Sequence, residues 1–141
     1  MNEAVDRDFA GRCLCGEVRF TAHGAPDLVA ICYCDACRRH TGSAFAIYAD
    51  YQRERVKLDG AFTEFASSSG VLRGFCARCG STISYRGANL AEMIHLHIGV
   101  FDRADLLVPT REECVGARLG WLAEPLIATK APSHSPSIAP R

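Results

Sequence analysis

Eight cysteines are the residues of this 141-residue chain best suited to do chemistry: Cys13, Cys15, Cys32, Cys34, Cys37, Cys76, Cys79 and Cys114. Their spacing sorts them. Cys13-Leu14-Cys15-Gly16 and Cys76-Ala77-Arg78-Cys79-Gly80 are two close pairs, each followed by glycine. A C-x-x-C turn presents two thiolates to one point, and C-x-C does the same when the backbone folds around the ion. Glycine supplies the positive φ of such a turn. Zinc takes four ligands in a tetrahedron at about 2.3 Å. Two pairs far apart in sequence can therefore share one structural ion and clip the first strand to the middle of the chain. Structural zinc contributes on the order of 10 kcal/mol in small peptides. The competing readings are disulfides, core cysteines or a redox-active dithiol, and the βαβ setting of the last is missing.

Cys32-Tyr33-Cys34-Asp35-Ala36-Cys37 places three more thiols close together. Three protein ligands and an open fourth position is the pattern of a catalytic zinc. Three thiolates leave such a site formally at −1. Arg38 and Arg39 follow at once and are placed to offset that charge or hold an anionic substrate. A short helix over Ala36 to Thr41 would aim its N-terminal amides at the cysteines and lower their pKa values. Other outcomes remain open at this spacing: Cys114 or His40 completing a closed site, a disulfide between two of the three, or no metal.

These groups need a frame, and the frame reads as strands. Glu17 to Thr21 alternates polar and apolar residues, and Ala44 to Tyr48 is a short apolar and aromatic run. Phe62 to Phe65 and Val71 to Phe75 flank Ser67-Ser68-Ser69-Gly70, the composition of a hairpin turn. Thr82 to Tyr85 and Met93 to Val100 complete the set, with Gly87-Ala88-Asn89 turning between them. Helical periodicity is weak. The expected fold is mainly β, a compact antiparallel domain stapled by metal. It spans residues 11–129, between a flexible N-terminus at 1–10 and a flexible tail at 130–141, whose three prolines and three serines cannot bury enough surface to order it.

Lys plus Arg and Asp plus Glu number 16 each, so the formal net charge is zero. That leaves a general attraction to nucleic acid or an anionic membrane unsupported, while a local basic patch stays open. No apolar run approaches the ~18–20 residues of a membrane span. Met1 to Phe9 lacks the basic start and apolar core of a secretory signal. A soluble, cytoplasmic protein is expected, and eight cysteines in a reducing compartment point to metal or catalysis.

Taken in order, Gly11-Arg12-Cys13-Leu14-Cys15-Gly16-Glu17-Val18, the segment from Cys32 to Phe45, and Arg73-Gly74-Phe75-Cys76-Ala77-Arg78-Cys79-Gly80-Ser81 resemble the three cysteine blocks of the glutathione-dependent formaldehyde-activating enzyme family, which includes centromere protein V. Gly99-Val100-Phe101-Asp102 and Arg118-Leu119-Gly120-Trp121-Leu122 resemble its later landmarks, so the resemblance runs from Gly11 to about Pro125. It implies a β-tent fold related to zinc ribbons. It also implies two zinc ions per chain: a structural one on Cys13, Cys15, Cys76 and Cys79, and a catalytic one on Cys32, Cys34 and Cys37. Cys114 departs from the aromatic or histidine of many relatives.

The activity implied is that of a carbon–sulfur lyase or synthase, joining glutathione to formaldehyde as S-hydroxymethylglutathione or cleaving such an adduct. The partner expected is a small thiol and aldehyde. Exposed sheet edges are compatible with a homodimer. Glutathione carries two carboxylates, and Arg38, Arg39 and Arg73 are candidates to receive them. Thr41, Ser43 and Tyr48 are candidate hydrogen-bond donors, although Thr41-Gly42-Ser43 also reads as the turn after the helix. His40 is a candidate general base. His95 and His97 share one face of a strand, where ordinary sheet packing explains their spacing. Trp121 reads as a core or domain-edge anchor. Two other classes compete with the enzyme: a zinc-binding interaction module and a thiol-based redox or metal sensor.

Overall fold

The computed structural model describes residues 7–122 and 127. The tail expected at 130–141, and residues 1–6 of the N-terminus, lie outside the described residues. Ten strands run in chain order: β1 Phe9–Arg12, β2 Arg19–Ala22, β3 Leu28–Cys32, β4 Ala46–Gln52, β5 Val56–Asp59, β6 Phe62–Ser68, β7 Val71–Cys76, β8 Thr82–Gly87, β9 Met93–His97 and β10 Arg111–Glu113. One α-helix, α1, spans Asp35–Thr41. The mainly β expectation holds. No helix among the described residues is long and apolar enough to cross a membrane.

The strands form two sheets. A three-stranded sheet has the order β1-β2-β5, and a seven-stranded sheet the order β10-β3-β4-β9-β8-β7-β6. Every pair is antiparallel except β10 with β3, which run parallel. Parallel pairing cannot be made by a tight turn, and here about 80 residues of chain separate the two strands.

The main core lies between the sheets. Phe9, Phe20 and Ala22 of the small sheet share it with Ala49, Tyr51, Ile94 and Leu96 of the large one. Phe101 joins both sides. Its ring meets Phe20 edge-on at 4.9 Å and Phe9 at 6.3 Å, and each such side chain contributes about 1.5–3 kcal/mol when fully buried. This packing explains why β1 begins at Phe9, inside the stretch expected to be loose. The strand expected over Met93 to Val100 ends at His97, because Ile98–Val100 turns as a 3-10 helix that carries Phe101 into the core. β2 starts later than Glu17 because the Cys13 N–H bonds Val18 O and the Val18 N–H bonds Cys13 Sγ, holding residues 17 and 18 in a turn.

Strand alternation decides the rest. On β4, Ile47, Ala49 and Tyr51 face the core. Ala46, Tyr48 and Asp50 therefore face the opposite side. On β9, Ile94 and Leu96 face the core, which leaves His95 and His97 on that same opposite side. The register pairs Tyr48 with His97 and Asp50 with His95. A small second cluster of Cys32, Cys37, Ala46 and Tyr48 forms there, with Cys34 and Tyr85 against it.

Candidate metal centres and the cleft beside them

Two groups of thiols come together. Cys13 and Cys15 lie in the turn after β1, Cys76 ends β7, and Cys79 closes the turn that follows. All four sulfurs lie within 4.8 Å of one another. Cys13 and Cys15 are 3.6 Å apart and Cys15 and Cys76 3.8 Å apart. A tetrahedron of zinc–sulfur bonds has edges of about 3.8 Å, so these thiols fit that ion without rearrangement. Gly16 and Gly80 take φ of 82° and 78°, as the turn chemistry requires. Backbone N–H groups already point at sulfur: Val18 at Cys13 (3.2 Å) and Cys79 at Cys76 (3.5 Å). The Ser81 hydroxyl, followed by the Ser81 and Cys15 amides, pulls the Cys79 thiol down to about 5. The group ties the loop after β1, in the small sheet, to the end of β7 in the large one.

The second group is Cys32, Cys34 and Cys37, again within 4.8 Å. Cys32 ends β3, Cys34 caps α1, and Cys37 lies in its first turn. The cap works as expected in one respect, since Cys34 Sγ accepts the Cys37 N–H at 3.3 Å. Neither His40 nor Cys114 brings a ligand atom into this group. Three thiols are one fewer than the four ligands of a tetrahedral ion, and no fourth His, Cys, Asp or Glu among the described residues joins the group. The three thiols share their protons. A hydrogen bond from Cys32 is the main cause that brings Cys37 down to about 5 against burial, with help from Tyr48, Cys34 and Arg73. Cys32, the partner, is pushed up.

The triad opens onto a cleft of about 370 Å³ on the outer face of the large sheet. Tyr48, Tyr85, Leu90 and His95 form its floor and walls, and Asp50, Arg73, Arg111, Glu113 and Cys114 also line it. Arg73 is buried. Its Nη1 lies 3.9 Å from Cys37 Sγ, its Nε donates to Ser67 Oγ at 3.1 Å, and its guanidinium sits 5.2 Å from the Tyr85 ring centre. Burial disfavours the charge, but the Cys37 thiolate more than offsets this and Arg73 stays cationic. A buried charge needs such a partner. Arg73 is thus the counter-charge of the triad. Tyr48 donates its hydroxyl to Cys37 Sγ at 3.4 Å, and burial raises its own pKa, so the donor proton stays in place.

The other anticipated residues divide. Arg38 and Arg39 both bond Asp35, at 2.6 and 3.0 Å, on the outside of α1. They line a separate groove with Ser43, Leu119 and Trp121, and Trp121 is exposed. The Thr41 hydroxyl bonds the Cys37 and Arg38 carbonyls and accepts the Ser43 N–H, so Thr41-Gly42-Ser43 is the turn that ends the helix. His40 and His97 face each other with ring centres 5.5 Å apart. Burial, with His40 and Arg73 nearby, lowers His97 to about 3. Asp50, Tyr85 and Arg111 were not singled out in the sequence. Only register and alternation bring them to the cleft.

A profile described as glutathione-dependent formaldehyde-activating enzyme matches residues 8–116, a span that holds all eight cysteines. The chain is 24% identical over 108 residues to an uncharacterized lyase of Schizosaccharomyces pombe, covering 77% of this chain and 79% of that protein. It also superposes on the crystal structure of a Rhodobacter sphaeroides protein with a TM-score of 0.56 and 20% identity, covering 73% of this chain and 98% of the other. That last likeness concerns the fold alone.

Proposed function

The chain belongs to the glutathione-dependent formaldehyde-activating enzyme family, and on that premise we propose that it is a zinc-dependent carbon–sulfur lyase or synthase acting on a thiol–aldehyde adduct of the S-hydroxymethylglutathione kind. One observation carries this reading: three convergent thiols open onto a cleft that also holds two arginines, while a second, four-thiol group sits apart from it. Cys13, Cys15, Cys76 and Cys79 would hold a structural zinc, within a β-tent frame of the zinc-ribbon kind. Cys32, Cys34 and Cys37 would hold a second zinc, which when bound lowers the pKa of a substrate thiol or polarises a carbonyl.

The chain's own residues do the remaining work. Arg73 and the Tyr48 hydroxyl neutralise and orient the Cys37 thiolate. Tyr48, Tyr85 and Leu90 give the cleft apolar walls, which favour thiol and aldehyde meeting in one orientation. Arg111, exposed at the rim, is placed to receive a carboxylate of glutathione. The test is NMR exchange between glutathione, carbon-13 formaldehyde and their adduct. Catalysed exchange that disappears in Cys34→Ser, with the fold kept, supports the reading. Exchange at the uncatalysed rate with both metal sites loaded overturns it.

A further inference from the structure

We propose that Asp50 and His95 form a proton-transfer dyad for the bond chemistry in this cleft, with His95 Nε2 as the atom that takes and returns the substrate proton. The inference rests on the lyase reading above and adds a catalytic residue to it. It starts from register. Asp50 and His95 are direct cross-strand partners on β4 and β9, and alternation turns both toward the cleft they line. His95 Nδ1 and Asp50 Oδ1 are 2.7 Å apart. An ionised carboxylate only accepts, so a proton sits on Nδ1, and in the neutral ring Nε2 keeps a lone pair.

Nε2 is buried and has no hydrogen-bond partner among the described residues. The His95 side chain is only 10% exposed and that of Asp50 14%. A buried acceptor left unsatisfied costs about 1–3 kcal/mol; His97 Nε2 and both ring nitrogens of His40 are unpartnered too, but of these three histidines His95 is the one that lines the cleft. The rings of Tyr85 and Tyr48, with centres 5.2 and 6.2 Å away, fix the imidazole plane. The arrangement is therefore an oriented imidazole in the same cleft as the triad, with one nitrogen unpartnered. A substrate entering the cleft brings it a polar partner. Catalytic hydrogen bonds commonly close only in the substrate complex.

The ligand class is a hemithioacetal. In cleavage, Nε2 takes the hydroxyl proton, the carbon–oxygen double bond forms, and the carbon–sulfur bond breaks with its electron pair going to sulfur. His95 then gives the proton to the departing thiolate, so the adduct becomes thiol plus aldehyde and the ring returns to its first state. Addition runs the same transfers backwards. Asp50 does not touch substrate. It sets the tautomer and stabilises the imidazolium.

The test uses the zinc-loaded full chain, with the adduct formed from glutathione and formaldehyde. His95→Gln should lower kcat by about 10²–10⁴-fold with KM and zinc content held. Asp50→Asn should lower kcat by about 10–100-fold, and the double variant should be no worse than His95→Gln alone. Long-range proton–nitrogen NMR of the wild type should show His95 protonated on Nδ1 and bare on Nε2, a readout independent of turnover. The inference is overturned by a kcat within about threefold of wild type in His95→Gln, by a proton on Nε2, or by loss of zinc that accounts for the loss of rate. A wild type that exchanges no thiol–aldehyde adduct removes the lyase reading itself. A wild type that exchanges while His95→Gln keeps pace removes only the dyad.

Discussion

The Tyr48 hydroxyl and the Cys37 sulfur are 3.4 Å apart, with Tyr48 as the donor. The tyrosine stands on β4 and the cysteine on α1, so this contact joins the helix to the sheet at the triad. A hydrogen bond of this kind contributes about 0.5–1.5 kcal/mol, and somewhat more to a charged acceptor. Tyr48→Phe should therefore weaken zinc retention at the triad by about fivefold and leave the four-thiol group unchanged. Competition with a chromogenic chelator reads both sites.

The two thiol groups should fail differently. Cys76 is fully buried between the sheets, and its group bridges a sequence separation of 61 residues. Cys76→Ser should lower the thermal midpoint sharply or prevent folding, since an ion that binds the folded state alone is part of folding free energy. Cys34→Ser should shed one zinc of two, keep the circular dichroism spectrum, and lose turnover. Unfolding of Cys34→Ser would show that the triad is structural.

The arginines should separate as well. Arg111 lines the cleft, whereas Arg39 bonds Asp35 and faces another groove. Arg111→Ala should raise KM for the glutathione adduct about tenfold, the loss of one charge-assisted hydrogen bond. Arg39→Ala should leave KM within about twofold, as exposed ion pairs are worth little. Steady-state kinetics on the two variants decides between them.

His97 makes stability depend on pH. Its folded-state pKa is lowered to about 3, first by burial and then by His40 and Arg73, against an unfolded value of about 6.5. Between these values the unfolded chain binds the extra proton. The contribution of His97 to stability is therefore fully present above about pH 6.5 and is lost as pH drops toward 3, by at most about 1.4 kcal/mol per pH unit. Denaturant midpoints between pH 7 and 5.5 should drop less in His97→Gln than in the wild type. Equal slopes would mean that His97 titrates normally.

Much of this is legible in the amino-acid sequence. Cys13, Cys15, Cys76 and Cys79 announce themselves, because chemistry fixes both the residue type and the spacing around an ion. The β6–β7 hairpin was visible for the same kind of reason, since Ser67 to Gly70 is local turn material between two apolar runs. β3 and β10 were not seen. Their parallel pairing joins residues far apart in the chain, and the three residues Arg111–Glu113 carry no strand pattern of their own. The cleft wall was hidden for a related reason. Asp50 is unremarkable in sequence and His95 reads there as ordinary sheet packing; they become partners only when β4 and β9 pair in one register. Arg38 and Arg39 looked attractive beside the triad, but helix geometry returns both to Asp35 at i−3 and i−4.

All seven thiols of the two groups lie at or before Cys79, whereas Tyr85, His95 and Arg111, which help wall the cleft, all come after it. A chain made from its N-terminus therefore offers every thiol of the two groups to the surrounding solution before β8, β9 and β10 exist to enclose the triad. Loading of metal can precede closure of the pocket during synthesis, and in that interval the triad is also most open to oxidants and competing ions.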